Sequence, residues 1–253
     1  NDNLIPAEGS GCSKVNNSTT KIFGHAATGL QNPNAIYHDN SLDAIRYASS
    51  LTRCSGVEVD VRMDAQGQLW LFHDELLDDE TNLSGSVEEM TTDELTSGHY
   101  GTLKKEPLLK LDAATTAELS QGYTFLDLKI PEMSKAQEIK SALLALDCDT
   151  TKFALIVSSL SYVDVFKYDF QVFLSINEVT ELTNELLSNE PRLRGICIRS
   201  AQITREEINF LKSINKEVIC YEVRSPKGIK MALTKNPTYL LTDDLKLTLG
   251  LRY

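Results

Sequence analysis

Residues Gly56 to Glu75, GVEVDVRMDAQGQLWLFHDE, decide how this chain is read. They form two short extended runs joined by a turn. Val57, Val59 and Val61 alternate with Glu58, Asp60 and Arg62, and the period of two along a strand points Glu58 and Asp60 from one face. The segment Asp64-Ala65-Gln66-Gly67 is polar, ends in glycine and is too short for a parallel crossover, so Leu69 to His73 folds back antiparallel. With Ala65 and Gln66 at the tip, His73 is expected opposite Glu58, and directly opposed residues share a face. Two carboxylates and an imidazole from one hairpin suit a divalent cation with oxygen ligands beside a group that moves a proton. Acids alternating with valines also fit a strand with one solvated face.

A second strand, Thr124 to Ile130 (TFLDLKI), tips the balance toward chemistry. Its apolar residues flank Asp127 and Lys129, which project together. A third apolar run, Lys21 to Ala26, carries His25 at its C-terminal end. Beyond Tyr123, strand and helix patterns alternate. The strands are 124–130, 153–157, 172–176, 195–198, 218–221 and 239–241; the helices are 134–146, 161–166, 178–187, 204–214 and 226–234. With the His25 and Glu58 strands the count reaches eight. Repeated βα units of this length give a parallel sheet, and eight in 253 residues favour a (β/α)8 TIM-type barrel. No glycine-rich dinucleotide loop follows any strand, which disfavours an open doubly wound sheet. In such barrels the site lies at the C-terminal ends of the strands, where His25, Glu58, Asp60, Asp127, Lys129, Arg199 and Asp243 all fall.

The remaining segments frame this barrel. Residues 1–20 are rich in Asn, Ser, Gly and Thr and read as a flexible leader, with the barrel domain spanning 21–253. Asn16 and Asn17 each fit a glycosylation pattern, and placement outside the cytoplasm, periplasmic or secreted, is the expectation. Residues 76–120 read as an insertion after the hairpin, with apolar content too thin for a core of its own. Asn40 or Ser41 caps a helix from Leu42 to Leu51. The net charge of −11 and pI of about 4.9 argue against nucleic acid as a partner. No apolar run is long enough to cross a bilayer. The five cysteines show no metal-binding spacing; four lie in or beside apolar runs and read as core residues. Trp70 reads as packing, and His38 as a loop residue beside the site.

The ordered set His25, Glu58-Val59-Asp60, His73-Asp74, the Thr-rich segment 81–95 and Asp127-Leu128-Lys129 resembles the glycerophosphodiester phosphodiesterase family, within the phospholipase-C-like barrels. The helix entry Asn40-Ser41-Leu42 and the final Leu241-Thr242-Asp243 fit as well. The resemblance implies that Glu58, Asp60 and Asp127 hold one divalent cation, Mg²⁺ or Ca²⁺. It implies that His25 and His73 form a general acid–base pair, and that Lys129 neutralises a phosphate oxygen. Lys129, Arg62 and Asn40 are then the expected substrate-binding residues. Two departures stand out. The family usually has Arg directly after the first His, whereas this chain has Ala26 and Ala27, and Arg62 is the expected substitute. The third metal carboxylate is usually Glu; Asp127 is more like the sphingomyelinase D toxins of the same superfamily. The expected activity is metal-dependent hydrolysis of glycerophosphodiesters, from deacylated phospholipid or a glycerol-phosphate polymer. The alternatives are a phospholipase D-like lyase on choline phospholipids, or a catalytically silent barrel acting as a binding module.

Overall fold

The computed structural model describes residues 18–32, 35–146, 148–181 and 190–251. A strand buried on both sides must be apolar throughout, and Phe153–Val157 (FALIV) shows this in its simplest form: all five residues are buried. Ala154 and Ile156 point into an inner cluster with Phe23, Phe125, Phe173, Ile219 and Tyr239. Phe153, Leu155 and Val157 point the other way, into the larger core beneath the helices. The alternation repeats around a ring of strands: β1 (Lys21–Gly24), β2 (Gly56–Met63), β5 (Tyr123–Leu128), β6 (Phe153–Val157), β7 (Gln171–Ser175), β8 (Leu193–Arg199), β9 (Glu217–Tyr221) and β10 (Tyr239–Thr242). Each pairs in parallel with its neighbour, and β1 pairs with both β10 and β2, closing an eight-stranded barrel as the strand count predicts.

The helices begin where their caps direct. Ser41, not Asn40, caps α1 (Leu42–Ser50), its hydroxyl accepting from the Ala44 N–H. Thr204 and Glu207 form a capping box on the helix Arg205–Ser213. The helix Pro226–Lys235 starts with Pro in its first turn and ends at Asn236, in the left-handed region (φ 57°). Of the expected helix 178–187, Val179–Glu181 is a single 3-10 turn and residues 182–187 lie outside the described residues. Of the expected leader, residues 1–17 lie outside the described residues. Residues 18–20 are tied to the barrel: the Thr19 N–H donates to Asn236 Oδ1 at 3.0 Å, and the Thr20 hydroxyl to the Pro237 carbonyl at 2.7 Å. Cys54, Cys197 and Cys220 form no disulfide among the described residues. No helix among the described residues is long and apolar enough to cross a membrane.

The hairpin and the insertion differ from expectation. In the strand pair β2 and β3 (Leu69–Leu71), Val61 faces Leu71, Arg62 faces Trp70 and Met63 faces Leu69. The loop therefore holds Ala65, Gln66 and Gly67 between Asp64 and Gln68, with Gly67 at φ 88°. This is one residue longer than the expected two-residue tip, and the register slips accordingly: His73 is not opposite Glu58. Asp64 sets the longer loop by accepting from the Gln66 and Gln68 N–H groups and from the Trp70 indole at 2.9 Å. The insertion also has a small core after all. Leu77, Val87, Leu95, Tyr100 and Leu108 pack on Trp70 and Phe72 of the hairpin, so the missing apolar surface is borrowed from the strand that precedes it. A two-residue strand, β4 (Leu109–Lys110), pairs with β3 to seal it. The helix Ala113–Leu119, expected inside the insertion, contributes Leu119 to the main core and contacts α1. It is the barrel's own crossover helix between β2 and β5.

Candidate active site

Position in the barrel brings the acids together. Glu58 and Asp60 lie on the inward face of β2, and the β2–β5 register places Glu58 beside Phe125 and Asp60 beside Asp127. Glu58 and Asp60 are each only 1% exposed. One oxygen from each of Glu58, Asp60 and Asp127 lies within 4.8 Å of the others. Lys129, just beyond β5, places its ammonium 2.9 Å from Asp60 Oδ1 and 2.6 Å from Asp127 Oδ2. Burial opposes the Lys129 charge, but Asp60 and Asp127 outweigh it and hold the ammonium well above its ordinary pKa. Asp60 is drawn below the usual carboxylate range despite its burial, by Lys129 and then by His73 and Asn40.

Glu58 is the member left in surplus. Its Oε2 accepts from the Ala26 N–H at 2.8 Å, but its buried Oε1 has no hydrogen-bond partner among the described residues. Burial first, then the charge of Asp60, pushes its carboxyl up to about 8. A buried carboxylate oxygen with no donor, among two further carboxylates, fits a hard divalent cation. Glu58, Asp60 and Asp127 are thus the residues suited to hold one.

Two imidazoles flank this group. His25 follows β1, its N–H bonded to the Thr242 carbonyl at 3.1 Å. Its Nδ1 pairs with Asp243 Oδ1 at 2.8 Å, which turns Nε2 toward Glu58 Oε2, 3.8 Å away. Burial disfavours the imidazolium, but the hydrogen bond to Asp243 and the charge of Glu58 overcome this and push the pKa up to about 9. The loop that carries His25 is bent back: Ala26 (φ 45°) and Ala27 (φ 77°) both lie in the left-handed region. Two adjacent non-glycine residues held there mark a strained segment, secured by bonds from both N–H groups to Glu58. His73 leaves the hairpin ladder after the Phe72 N–H bonds the Asp60 carbonyl, and its Nδ1 meets Asp74 Oδ1 at 2.6 Å. Each ring is thus oriented by a carboxylate on Nδ1, leaving Nε2 for chemistry.

His25, Glu58, His73, Asp127 and Lys129 line one cavity of about 330 Å³, whose outer wall adds Arg199, Tyr221 and Arg224. Arg224 gives its Nε to Asp243 Oδ2 at 3.1 Å and is otherwise 57% exposed. Arg199 pairs with Glu222 at 2.6 Å. Arg224 is the residue that sequence reasoning missed. It sits in a loop past β9, and no strand pattern marks it.

Two of the expected substrate contacts have protein partners of their own. Asn40 is fully buried, donates to Asp60 Oδ2 at 2.9 Å and accepts from the Asp60 N–H at 3.0 Å. It stands behind Asp60 and does not line the cavity. Arg62 shares the inward face of β2 but lies one step past the barrel rim, where it pairs with Glu88 at 2.7 Å and donates twice to the His73 carbonyl, at 3.3 and 3.0 Å. It borders an adjoining groove that shares Asp127 and Lys129 with the catalytic cavity.

The family model described as "Glycerophosphoryl diester phosphodiesterase family" matches residues 25–247. The chain belongs to this family. It is accordingly a phosphoric diester hydrolase, as the resemblance implied. A glycerophosphodiester phosphodiesterase of Bacillus altitudinis is 24% identical over 243 residues, 88% of this chain and 94% of the relative. Among solved structures, a glycerophosphodiester phosphodiesterase from Agrobacterium tumefaciens superposes with a TM-score of 0.74 at 20% identity, covering 92% of this chain and 99% of that one. A phosphodiesterase from Oleispira antarctica, in complex with the product sn-glycerol-3-phosphate, does so with a TM-score of 0.75 at 16% identity, covering 91% and 95%. These likenesses support the barrel described above.

Proposed function

We propose that this chain hydrolyses glycerophosphodiesters, using a divalent cation, Mg²⁺ or Ca²⁺, held by Glu58, Asp60 and Asp127, with His25 and His73 as the acid–base pair. The observation that carries this reading is the convergence in one cavity of two carboxylate-oriented imidazoles on a three-carboxylate nest. When bound, the cation supplies charge neutralisation for a phosphate oxygen. Lys129 and Arg224 add positive groups around the same anion, Lys129 as a point charge and Arg224 through the donors that Asp243 leaves free. One imidazole takes the proton of the attacking oxygen, from water or from the substrate's own glycerol hydroxyl. The other protonates the departing alkoxide, which is otherwise a poor leaving group. Asp243 and Asp74 hold the two rings in register for these transfers and stabilise whichever is charged.

The cavity volume lies at the lower end of the range for small-molecule sites, which suits a deacylated diester better than a lipid with its acyl chain. The product named for the Oleispira antarctica phosphodiesterase, sn-glycerol-3-phosphate, is the phosphomonoester that hydrolysis of such a diester releases. The test is an assay of glycerophosphocholine, glycerophosphoethanolamine and lysophosphatidylcholine with Mg²⁺ or Ca²⁺, with and without chelator. Turnover of the first two is expected, abolished by chelator and reduced at least ~100-fold by His25→Ala or His73→Ala. Turnover that survives the chelator overturns the metal dependence. Faster turnover of lysophosphatidylcholine transfers the site to choline phospholipids.

A further inference from the structure

A second cluster, outside the catalytic cavity, combines His38, Asp39 and Glu80. One donor atom from each lies within 4.8 Å of the others, the same spread as in the carboxylate nest of the barrel. Donors around a single ion at ~2.0–2.2 Å lie up to about 4.4 Å apart, so a small closure seats one. The imidazole is set up for this. Its Nδ1 faces both the Asp39 backbone carbonyl at 3.0 Å and Asp39 Oδ1 at 3.1 Å, contacts that place a ring proton on that side and leave Nε2 for a ligand. The Glu80 carboxylate makes no hydrogen bond or ion pair among the described residues.

An independent observation points to a missing ligand. Tyr100 is completely buried, and its hydroxyl has no hydrogen-bond partner among the described residues. Its ring stacks on His38 with centroids 3.6 Å apart. A buried donor left unbonded, on a ring stacked against one member of the cluster, is costly unless something bridges it to its surroundings.

From this geometry we propose that His38, Asp39 and Glu80 form a second divalent-cation site, with the Tyr100 hydroxyl directed at a water on the bound ion. The donor set separates it from the barrel nest. Three carboxylates suit Mg²⁺ or Ca²⁺, whereas an imidazole with two carboxylates suits a first-row transition ion such as Zn²⁺. The site joins the loop that carries Asp39 to the insertion that carries Glu80. Gln31 connects it to the partner of His73: its N–H bonds Asp39 Oδ2 at 2.8 Å, and its side-chain amide reaches Asp74 at 3.4 Å. The ion's role is therefore structural, steadying the Asp74 carboxylate that orients His73.

The test is equilibrium dialysis of the full chain against Zn²⁺ in saturating Mg²⁺, with elemental analysis of the bound metal. Wild type and Asp127→Asn are both expected to retain one Zn²⁺ per chain, and Zn²⁺ is expected to raise the melting temperature of both. Glu80→Gln, which preserves shape, and His38→Ala should each weaken Zn²⁺ binding by at least ~10-fold. If His38→Ala does not fold, Glu80→Gln alone decides. Failure to retain Zn²⁺, or Zn²⁺ lost from Asp127→Asn but kept by Glu80→Gln, overturns the proposal. So does an imidazolium signal from His38 that persists unchanged on adding Zn²⁺, because the proton would then occupy the ion's place.

Discussion

Arg62 and Asn40 look like ligands of the substrate in the sequence and act on other residues in the fold. Both are polar, close to the metal-type acids and on the right strand or loop, which is all that residue type and spacing can report. In the fold both are engaged by other protein groups. Asn40 is fully buried against both ends of Asp60, and Arg62 is spent on Glu88 and the His73 carbonyl. Arg62→Ala is therefore expected to act through His73. It should lower kcat at least ~10-fold with KM changed little, since misplacing a proton-transfer group costs transition-state stabilisation and not uniform binding. Arg62→Lys should recover part of the loss, because a single ammonium still reaches a carbonyl but lacks the planar fork. Steady-state kinetics on a glycerophosphodiester decides the matter. A raised KM at constant kcat would return Arg62 to the phosphate.

At the scale of elements, most of the barrel was legible because a doubly buried strand has a plain signature, and the strand Phe153–Val157 has the bounds read for it. The carboxylate pair was legible for the same reason: Glu58 and Asp60 interrupt an otherwise apolar period. The hairpin register was not, because the loop length depends on the Asp64 side chain bonding two N–H groups and an indole, which the turn composition alone does not reveal. His73 still reaches the site because it lies past the end of the ladder, where a slip of one residue no longer flips a side chain. The insertion's core was hidden because two of its three aromatic members, Trp70 and Phe72, belong to the preceding hairpin. That shared core ties the insertion to catalysis. Trp70→Ala should cost roughly 3–5 kcal/mol of local stability, as expected for a buried aromatic. Limited proteolysis between residues 76 and 108 is expected to accelerate, and kcat to fall as the His73–Asp74 segment loosens, while far-UV signal from the barrel is retained. Unchanged proteolysis and kcat would show that the insertion holds itself without the hairpin.

For the whole molecule, the decisive place is the seam where the barrel closes. β1 matches β10 over four residue pairs but β2 over only two, Phe23 with Gly56 and Gly24 with Val57. Immediately above that short pairing, the strained loop after β1 bonds Glu58 twice: the Ala26 N–H to its side chain and the Ala27 N–H to its carbonyl. Glu58 thus serves two purposes, stitching the seam through Oε2 and offering Oε1 to a cation. The two uses predict different responses to two substitutions. Glu58→Gln keeps an acceptor for Ala26 and removes a buried ionisable group, so the melting temperature of the metal-free protein should stay the same or rise. The gain on adding Mg²⁺ should disappear together with activity; at one hundred times Kd that gain is about 2.7 kcal/mol in the wild type. Glu58→Ala leaves the Ala26 N–H buried and unbonded, at a cost of roughly 1–3 kcal/mol, or about 2–4 °C per kcal/mol for a chain of this size. Melting curves with Mg²⁺ and with chelator for wild type and both variants separate the two effects. If the two variants melt alike without metal, the bond to Ala26 does not hold the barrel closed. If Glu58→Gln still gains stability from Mg²⁺, the cation is held without Glu58.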